Sequence, residues 1–559
     1  MTTIQSVTNP TGLPRNMLAW LNNATVRGGG ISNRRGMFPL CTVHPGNVLY
    51  QGGYMYQPNN PFGQEGYPEL ILSIAGTLYK VNVGSDNSVQ ALTGQVNPTT
   101  TQQSFFAQGN QFLVVQAGDG VTLPLFYDGT NVRRSNGLPG SELPAAGPMD
   151  YFMGRMWYGN GRLIAAGDIT GDSASGTPTY NFTDAILKVT ENPFIVGGDG
   201  FEVPGNDGEI RCIRHTSELD VALGQGNLYI GTRKAIYRLQ VPVTRTDWIA
   251  ATANNQPLMT VSQSRFGIIG DRAAFPHNAD MFYKAVDGTR SLMLSVRYFN
   301  QWGNTPISRN IRRVTDTNDK ALMKYTSGVE FDNRILFLEQ PHMTEVGAAF
   351  KAISVLDLDL ISTLEEKRPP AWEGIYEGLD ILQILEGDFG GLQRCFCVAR
   401  SVADGSIQVW ELSSQIDIDD IDHRIAWSIE TPAFVWDSEF KLKTVEGAEL
   451  WMDRITGFVD LRAEYRVDGD SCWRFWHEWQ CCAQQEPVPY VSRNVLGKTF
   501  RAVQTLPKPP DSCENFTGRP ANVGYQFQVR LSIKGSCRIR GLLLYGYPTQ
   551  KTHGAGMVC

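Results

Sequence analysis

At 559 residues, with 42% hydrophobic and 10% aromatic side chains, the chain is too long for one core and apolar enough to fill several. Charge content is low at 19%, and a net charge of −7 excludes an overall basic nucleic-acid footprint while leaving room for a local basic patch. The 57 glycines and 30 prolines favour many tight turns over long helices.

The opening MTTIQSVTNPTGLPRNM has no basic segment followed by an apolar one, as a secretory signal would. No run approaches the ~18 apolar residues that a membrane helix needs. A soluble protein made in the cytosol is the expectation. Residues 1–40 differ from the rest. They carry three consecutive glycines (Gly28–Gly30), the basic pair Arg34 and Arg35, and few periodic apolar positions. Glycine triplets lose much backbone entropy on ordering, so this stretch reads as an extended arm packed on its own body or on a neighbour, or as a loop leading into the first blade.

From residue 41 to 424 one pattern recurs. LYIGTRKAIYRLQV (Leu228–Val241) is a run of apolar residues, a polar turn and an alternating strand back, which marks a β-hairpin. The same pattern is written at Ile71–Val83, Met281–Val296 and Arg394–Leu412, and more loosely at Phe112–Tyr127, Gly161–Phe182 and Ile335–Leu358. Seven hairpins at irregular spacing of roughly 40 to 65 residues suggest the blades of a β-propeller. Each hairpin supplies half of a four-stranded blade. Six or seven blades are both open, and one blade can be completed by strands from the two ends of the domain.

Near Asp417–His423 the character changes. Residues 425–559 hold long, Trp-rich alternating strands, then a proline-rich connection at Pro507–Pro510 and FQVRLSIKGSCRIRGLLLYGY. This reads as a separate antiparallel sandwich of ordinary domain size. Helices are expected only at Asn16–Asn23 and Ile361–Lys367. The fold class is all-β: a β-propeller-like body with a C-terminal β-sandwich domain and an extended N-terminal arm.

Several constellations come near to a chemical motif. Ser401, Asp404, Gly405 and Trp410 are the nearest approach to the Asp-box of propeller sialidases, and their spacing is wrong. Asp417, Asp419, Asp420 and Asp422 offer oxygens to a hard cation but lack the glycine and distal Glu of an EF-hand; a solvated charge run is the plainer reading. Cys472, His477, Cys481 and Cys482 fit none of the usual zinc clips. The remaining cysteines include Cys41, Cys212, Cys395 and Cys397, which read as small buried thiols. No P-loop, Rossmann fingerprint or nucleophile elbow occurs. No catalytic, cofactor-binding or metal-binding residues are assigned, and a scaffold rather than an enzyme is expected. Its contacts would use glycine-rich insertions and the aromatics Tyr54, Tyr56, Phe62 and Tyr67, which could equally bind sugar.

Three stretches carry a resemblance: Asn22–Phe38 (NNATVRGGGISNRRGMF), Leu223–Leu239 (LGQGNLYIGTRKAIYRL) and Arg265–Ser295 (RFGIIGDRAAFPHNADMFYKAVDGTRSLMLS). Together they resemble the tail nozzle and tail stabilisation proteins of short-tailed bacteriophages. The resemblance implies a structural virion protein located in the tail and assembled in the host cytoplasm. It implies a homohexameric ring below the tail adaptor protein, a platform for tail fibres or spikes, and a channel through which genomic DNA leaves without sequence-specific binding. The acidic stretches Asp357–Asp359 and Asp417–Asp422 would suit a lumen that must not hold phosphate. The alternative reading is a receptor- or glycan-binding propeller adhesin of a phage tail.

Overall fold

The computed structural model describes residues 3–4, 17–58, 66–138, 141–169, 184–189, 201–216, 227–239, 241, 260–298, 305–340, 351–359, 371–413, 424–436, 441–482, 502–510 and 519–549. Short alternating or wholly apolar runs bounded by turns make strands, and the described residues contain seven successive antiparallel sheets built that way. The first joins Tyr50–Tyr56, Glu69–Ile74, Thr77–Val81 and Val89–Ala91. The second joins Phe105–Gly109, Phe112–Gln116, Leu125–Tyr127 and Val132–Arg134. The third joins Met149–Phe152, Arg155–Asn160, Leu163–Ala166 and Phe201–Glu202. The fourth joins Ile210–His215, Leu228–Thr232, Ile236–Leu239 and Thr260–Ser264. The fifth has Ala274–His277, Asp280–Ala285 and Gly288–Ser291. The sixth begins Gly328–Phe331, Arg334–Glu339, Ala352–Asp357 and Ala371–Tyr376.

The seventh contains Asp380–Asp388, Gln393–Arg400 and Ile407–Leu412, and its outer strand comes from the other end of the chain. Met37–His44 runs antiparallel to Ile407–Leu412, with Met37 opposite Leu412 and His44 opposite Ile407. The first strand of each sheet lies against the first strand of the next, and Asp380–Asp388 lies back against Tyr50–Tyr56. The ring is closed. The body is a seven-bladed β-propeller whose last blade is fastened by the N-terminal segment. Its apolar side chains fill the seams between blades: Leu70, Leu72, Phe396 and Val398 between the seventh and first, Val115 and Ile71 between the first and second, Trp157 and Ile230 between the third and fourth.

Six of the seven hairpins expected from the sequence are paired strands of a blade at the expected place, the central pair in five of them and the last two strands of three-stranded blade five. The third is displaced: its strands are Arg155–Asn160 and Leu163–Ala166, and residues 170–182 lie outside the described ones. The fifth ends differently too. After Ser291 the chain turns into the helix Leu292–Tyr298, because the Ser291 hydroxyl accepts from Leu294 N at 3.2 Å and the Asp280 carboxylate from Met293 N at 2.9 Å. These bonds satisfy free N–H groups of a first helical turn. Conversely, the helix expected at Asn16–Asn23 is extended chain at Met17–Leu18 and Trp20–Asn22. Leu18, Trp20 and Leu21 are all buried, and an eight-residue helix has little stability of its own to compete with that burial. Ile361–Lys367, the other expected helix, is not among the described residues.

Beyond the propeller, two long strands, Lys443–Val467 and Phe527–Pro548, pair antiparallel. The register breaks between Asp453 and Asp460, where Arg454 (φ 50°) and Gly457 (φ 64°) turn left-handed. The two halves share one core that includes Leu450, Leu461, Tyr465, Trp476, Phe527 and Leu531. Hydrogen bonding continues across the boundary expected at residue 424. Trp20–Asn22 pairs antiparallel with Ala426–Glu430 and, through Ile375 opposite Asn22, parallel with the outer strand of blade six. Thus the first 40 residues contain the joint between propeller and C-terminal sheet, and from Met37 onward they are propeller.

The joint is bonded by charge. Arg27 donates to Asp357 (2.9 and 2.8 Å) and Asp332 (3.0 Å). Arg34, 1% exposed, donates to Asn23 Oδ1 at 2.9 Å. From the other side Arg538 and Arg540 donate to the carbonyls of Gly28 (2.6 Å) and Gly29 (2.9 Å). The glycine triplet is the point of close approach. A Cβ on Gly30 would lie 2.7 Å from the Ile539 carbonyl.

Candidate functional site

A propeller offers its axis, its two faces and its rim. The axis is bridged by side chains. Arg272, entering blade five, reaches Gln383 of blade seven and the Gln51 carbonyl of blade one, neither an adjacent blade. Gln383 accepts from Tyr50 Oη at 2.8 Å and bonds both backbone groups of Gly53. In blade four Arg214 pairs with Asp271 (3.2 Å), and His215 Nδ1 meets Asp150 at 2.8 Å. Burial would lower the His215 pKa, but the hydrogen bond and charge of Asp150 win and hold it above the ordinary value. Burial pushes the Tyr50 phenol up as well. Arg272 and Gln383 thus bond across the ring, while the Arg214–Asp271 and Asp150–His215 pairs join neighbouring blades, so polar side chains cross and line the axis.

The C-terminal sheet presents the more open surface. In the second long strand apolar and polar residues alternate from Phe527 to Ile539, one face buried. After Arg540 the alternation ends in GLLLYGY, and both faces become apolar. Leu542 and Leu544 pack against the core. Leu543, Tyr545 and Tyr547 stand on the opposite face, 50%, 47% and 52% exposed, and Trp451 of the first long strand is 41% exposed. Trp451 sits opposite Gly541, and Leu543 opposite Glu449, so these side chains share one face. The strand has a free edge as well. Along residues 541–548 it pairs with the first long strand, and no other strand among the described residues pairs with it there. An apolar face on an unpaired edge is rare unless another chain covers it.

No family model matches the chain. No curated protein matches it. Among solved structures, one described as "YCF48 bound to D1 peptide" aligns at 9% identity over 68% of this chain and 98% of that chain, with a TM-score of 0.34. One described as "Crystal structure of WD40 beta propeller domain of Doa1" aligns at 8% identity over 68% and 98%, with a TM-score of 0.31. Likeness at that level adds nothing to the strand pairings and the closed ring of contacts, which show the propeller by themselves.

Of the residues singled out from the sequence, Asp404 lies in the hairpin turn of blade seven. There the Ser406 N–H (3.0 Å) and neighbouring hydroxyls bond it and hold its pKa down at about 2; it is a turn residue. Trp410 Nε1 donates to Gln408 on its own strand. Cys472 is an exposed turn thiol, and His477 packs against Trp479 at 5.4 Å on the strand Arg474–Cys482, which also holds Cys481 and Cys482. No group of three metal-ligating side chains occurs among the described residues. Asp417–Asp422 lie outside them.

Two expectations are corrected. Tyr56 is 1% exposed, with its hydroxyl on the Gln111 carbonyl, and half-buried Tyr54 stacks on Phe106; both lie on the innermost strand of blade one, packed against blade two. Tyr67 is exposed, at 59%, and Phe62 is not described. Asp357, expected to suit a lumen, is fully buried beneath Arg27. The exposed strip on the C-terminal sheet is absent from the residues the sequence singled out, although the loss of alternation after Arg540 was its signal.

Proposed function

We propose that the chain is a structural subunit of a short-tailed phage tail, the nozzle or hub of the resemblance, and that copies meet through the C-terminal sheet. The observation that carries this is the apolar strip Trp451, Leu543, Tyr545 and Tyr547 on a strand edge that no strand among the described residues pairs. A second copy is the occupant of choice. Most soluble oligomers are symmetric assemblies of one chain, and an edge strand supplies backbone bonds that any copy can return. Fully burying such a side chain is worth about 1.5–3 kcal/mol, so covering the exposed half of four gives a few kcal/mol before edge hydrogen bonds are added.

The bridged axis supports a particular version of this reading. A DNA duplex, whose major groove alone is about 12 Å wide, has no path through a centre crossed by Arg272 and Gln383. A conduit would lie between subunits, with the propellers as its walls. The test is the solution mass. Six copies of 62.0 kDa give about 370 kDa, and Leu543→Lys with Tyr545→Lys should yield a folded monomer whose thermal midpoint, unlike that of the wild-type assembly, no longer rises with protein concentration. A wild-type protein that stays monomeric at virion-like concentrations would sink the proposal. The adhesin reading has one observation in its favour, a cationic cleft on the propeller.

A further inference from the structure

Three segments meet around an open cleft on the propeller. The hairpin turn of blade four supplies Arg233 and Lys234, the loop before blade five supplies Arg265, Phe266 and Gly267, and the hairpin turn of blade five supplies Ala285, Val286 and Asp287. The cavity is about 390 Å³, toward the small end of the range for ligand pockets. Gly267 is required for the walls to close, because a Cβ there would lie 2.0 Å from the Thr232 carbonyl. The floor is apolar. Val286 is 44% exposed, and the Phe266 ring is held flat by the Arg290 guanidinium 3.7 Å away.

The charges around that floor do not cancel. Asp287 is committed to Arg290, with Nε donating at 3.1 Å; Asp207 accepts from the neutral Tyr237 hydroxyl, so its one negative charge stands against those of Arg233, Lys234 and Arg265. Lys234 donates to the Asn206 carbonyl at 2.8 Å, which leaves its charge unmatched. Arg233 and Arg265 are exposed and have no bonded partner among the described residues. Burial, and then the charge of Arg233, lower the pKa of neighbouring Arg211. Cations thus crowd one another beside a small apolar floor. Two guanidinium forks suit a planar oxyanion, and an apolar floor suits the C–H face of a ring attached to it.

We propose that this cleft binds a carboxylate-bearing sugar ring, with Arg233 and Arg265 holding the carboxylate and Phe266 and Val286 beneath the ring. Every residue comes from one chain, so the site does not depend on the assembly proposed above. A bare anion would leave the floor unused, and a neutral sugar would leave the arginines unmatched.

The test is calorimetric titration of the full chain with a glucuronate-containing oligosaccharide, with the same oligosaccharide after carboxyl reduction, and with inorganic phosphate. Binding of the acidic form is expected to weaken as salt rises. It should fall by about tenfold or more in Arg233→Ala/Arg265→Ala, since charge-assisted bonds are the strong ones, and stay unchanged in Lys320→Ala. If the double variant misfolds, Val286→Glu, an exposed change that places a negative charge on the floor, should abolish binding on its own. Equal binding of the reduced sugar, equal binding by the arginine variant, phosphate binding as tight as the oligosaccharide, or no binding at millimolar concentration would each overturn the proposal.

Discussion

Arg27 meets three carboxylates at the joint. It pairs with Asp357, Asp332 and Asp359, and Asp357 is fully buried. Arg27→Ala would strip that buried carboxylate of its ion pair and leave it only the Asp359 N–H at 2.9 Å and the more distant charge of Arg334, so the cost should fall at or below the low end of the ~3–5 kcal/mol of a fully broken buried pair. Chemical denaturation should register the loss. Arg27→Lys should recover less than half of it, because an ammonium cannot reproduce the two-toothed grip on Asp357. At the axis, His215 makes a pH prediction. Its folded pKa is raised by Asp150, so its contribution to stability is complete below the ordinary value of about 6.5. That contribution is lost as pH rises through the folded value, because the unfolded chain gives up the proton first. The thermal midpoint should decline with pH across this window in the wild type, and Asp150→Asn should remove that component of the slope. Neither role was legible in the sequence. The partners of Arg27 lie about 300 residues away, and nothing local distinguishes an anchoring arginine from a solvated one.

At the scale of elements, the hairpins could be read because each is written in adjacent residues, with period-two alternation and a polar turn between. Leu228–Val241 needed nothing else to become two strands of blade four. What could not be read were segments whose partners are remote. Met37–His44 is an unexceptional strand until Ile407–Leu412 is beside it. Trp20–Asn22 resembled a short helix because the strands it pairs with, Ala426–Glu430 and Ala371–Tyr376, lie hundreds of residues away. Gly28–Gly30 announced an unusual backbone without saying what approaches it. The structure separates the three glycines in a testable way. At Gly30 a Cβ would collide with the Ile539 carbonyl, and Gly30→Ala should cost about 1–3 kcal/mol as overpacking does. It should also open the arm to limited proteolysis. At Gly29 (φ 74°) there is room, the nearest atom being 3.5 Å away on Arg540; Gly29→Ala should cost roughly 1–2 kcal/mol from backbone conformation alone and leave the arm protected.

On the scale of the whole molecule, seven blades closed by an N-terminal strand form a ring in which each blade depends on two neighbours. A ring opened at its fastener has two blades with exposed faces. Deletion of residues 1–44 should therefore abolish cooperative unfolding and expose apolar surface, measurable by dye binding, rather than trim a tail. The fastening also sets a clock on synthesis. About 365 residues separate Met37–His44 from its partner strand, and ribosomes add roughly 5–20 residues each second. For roughly 20 to 70 seconds, therefore, the strand waits outside the ribosome with its apolar side chains unmatched while blades one to six are still being made. Crowded polysomes making many copies offer it the Ile407–Leu412 strand of a neighbouring chain, so rings fastened by each other's N-terminal strand should grow more common as synthesis is driven harder.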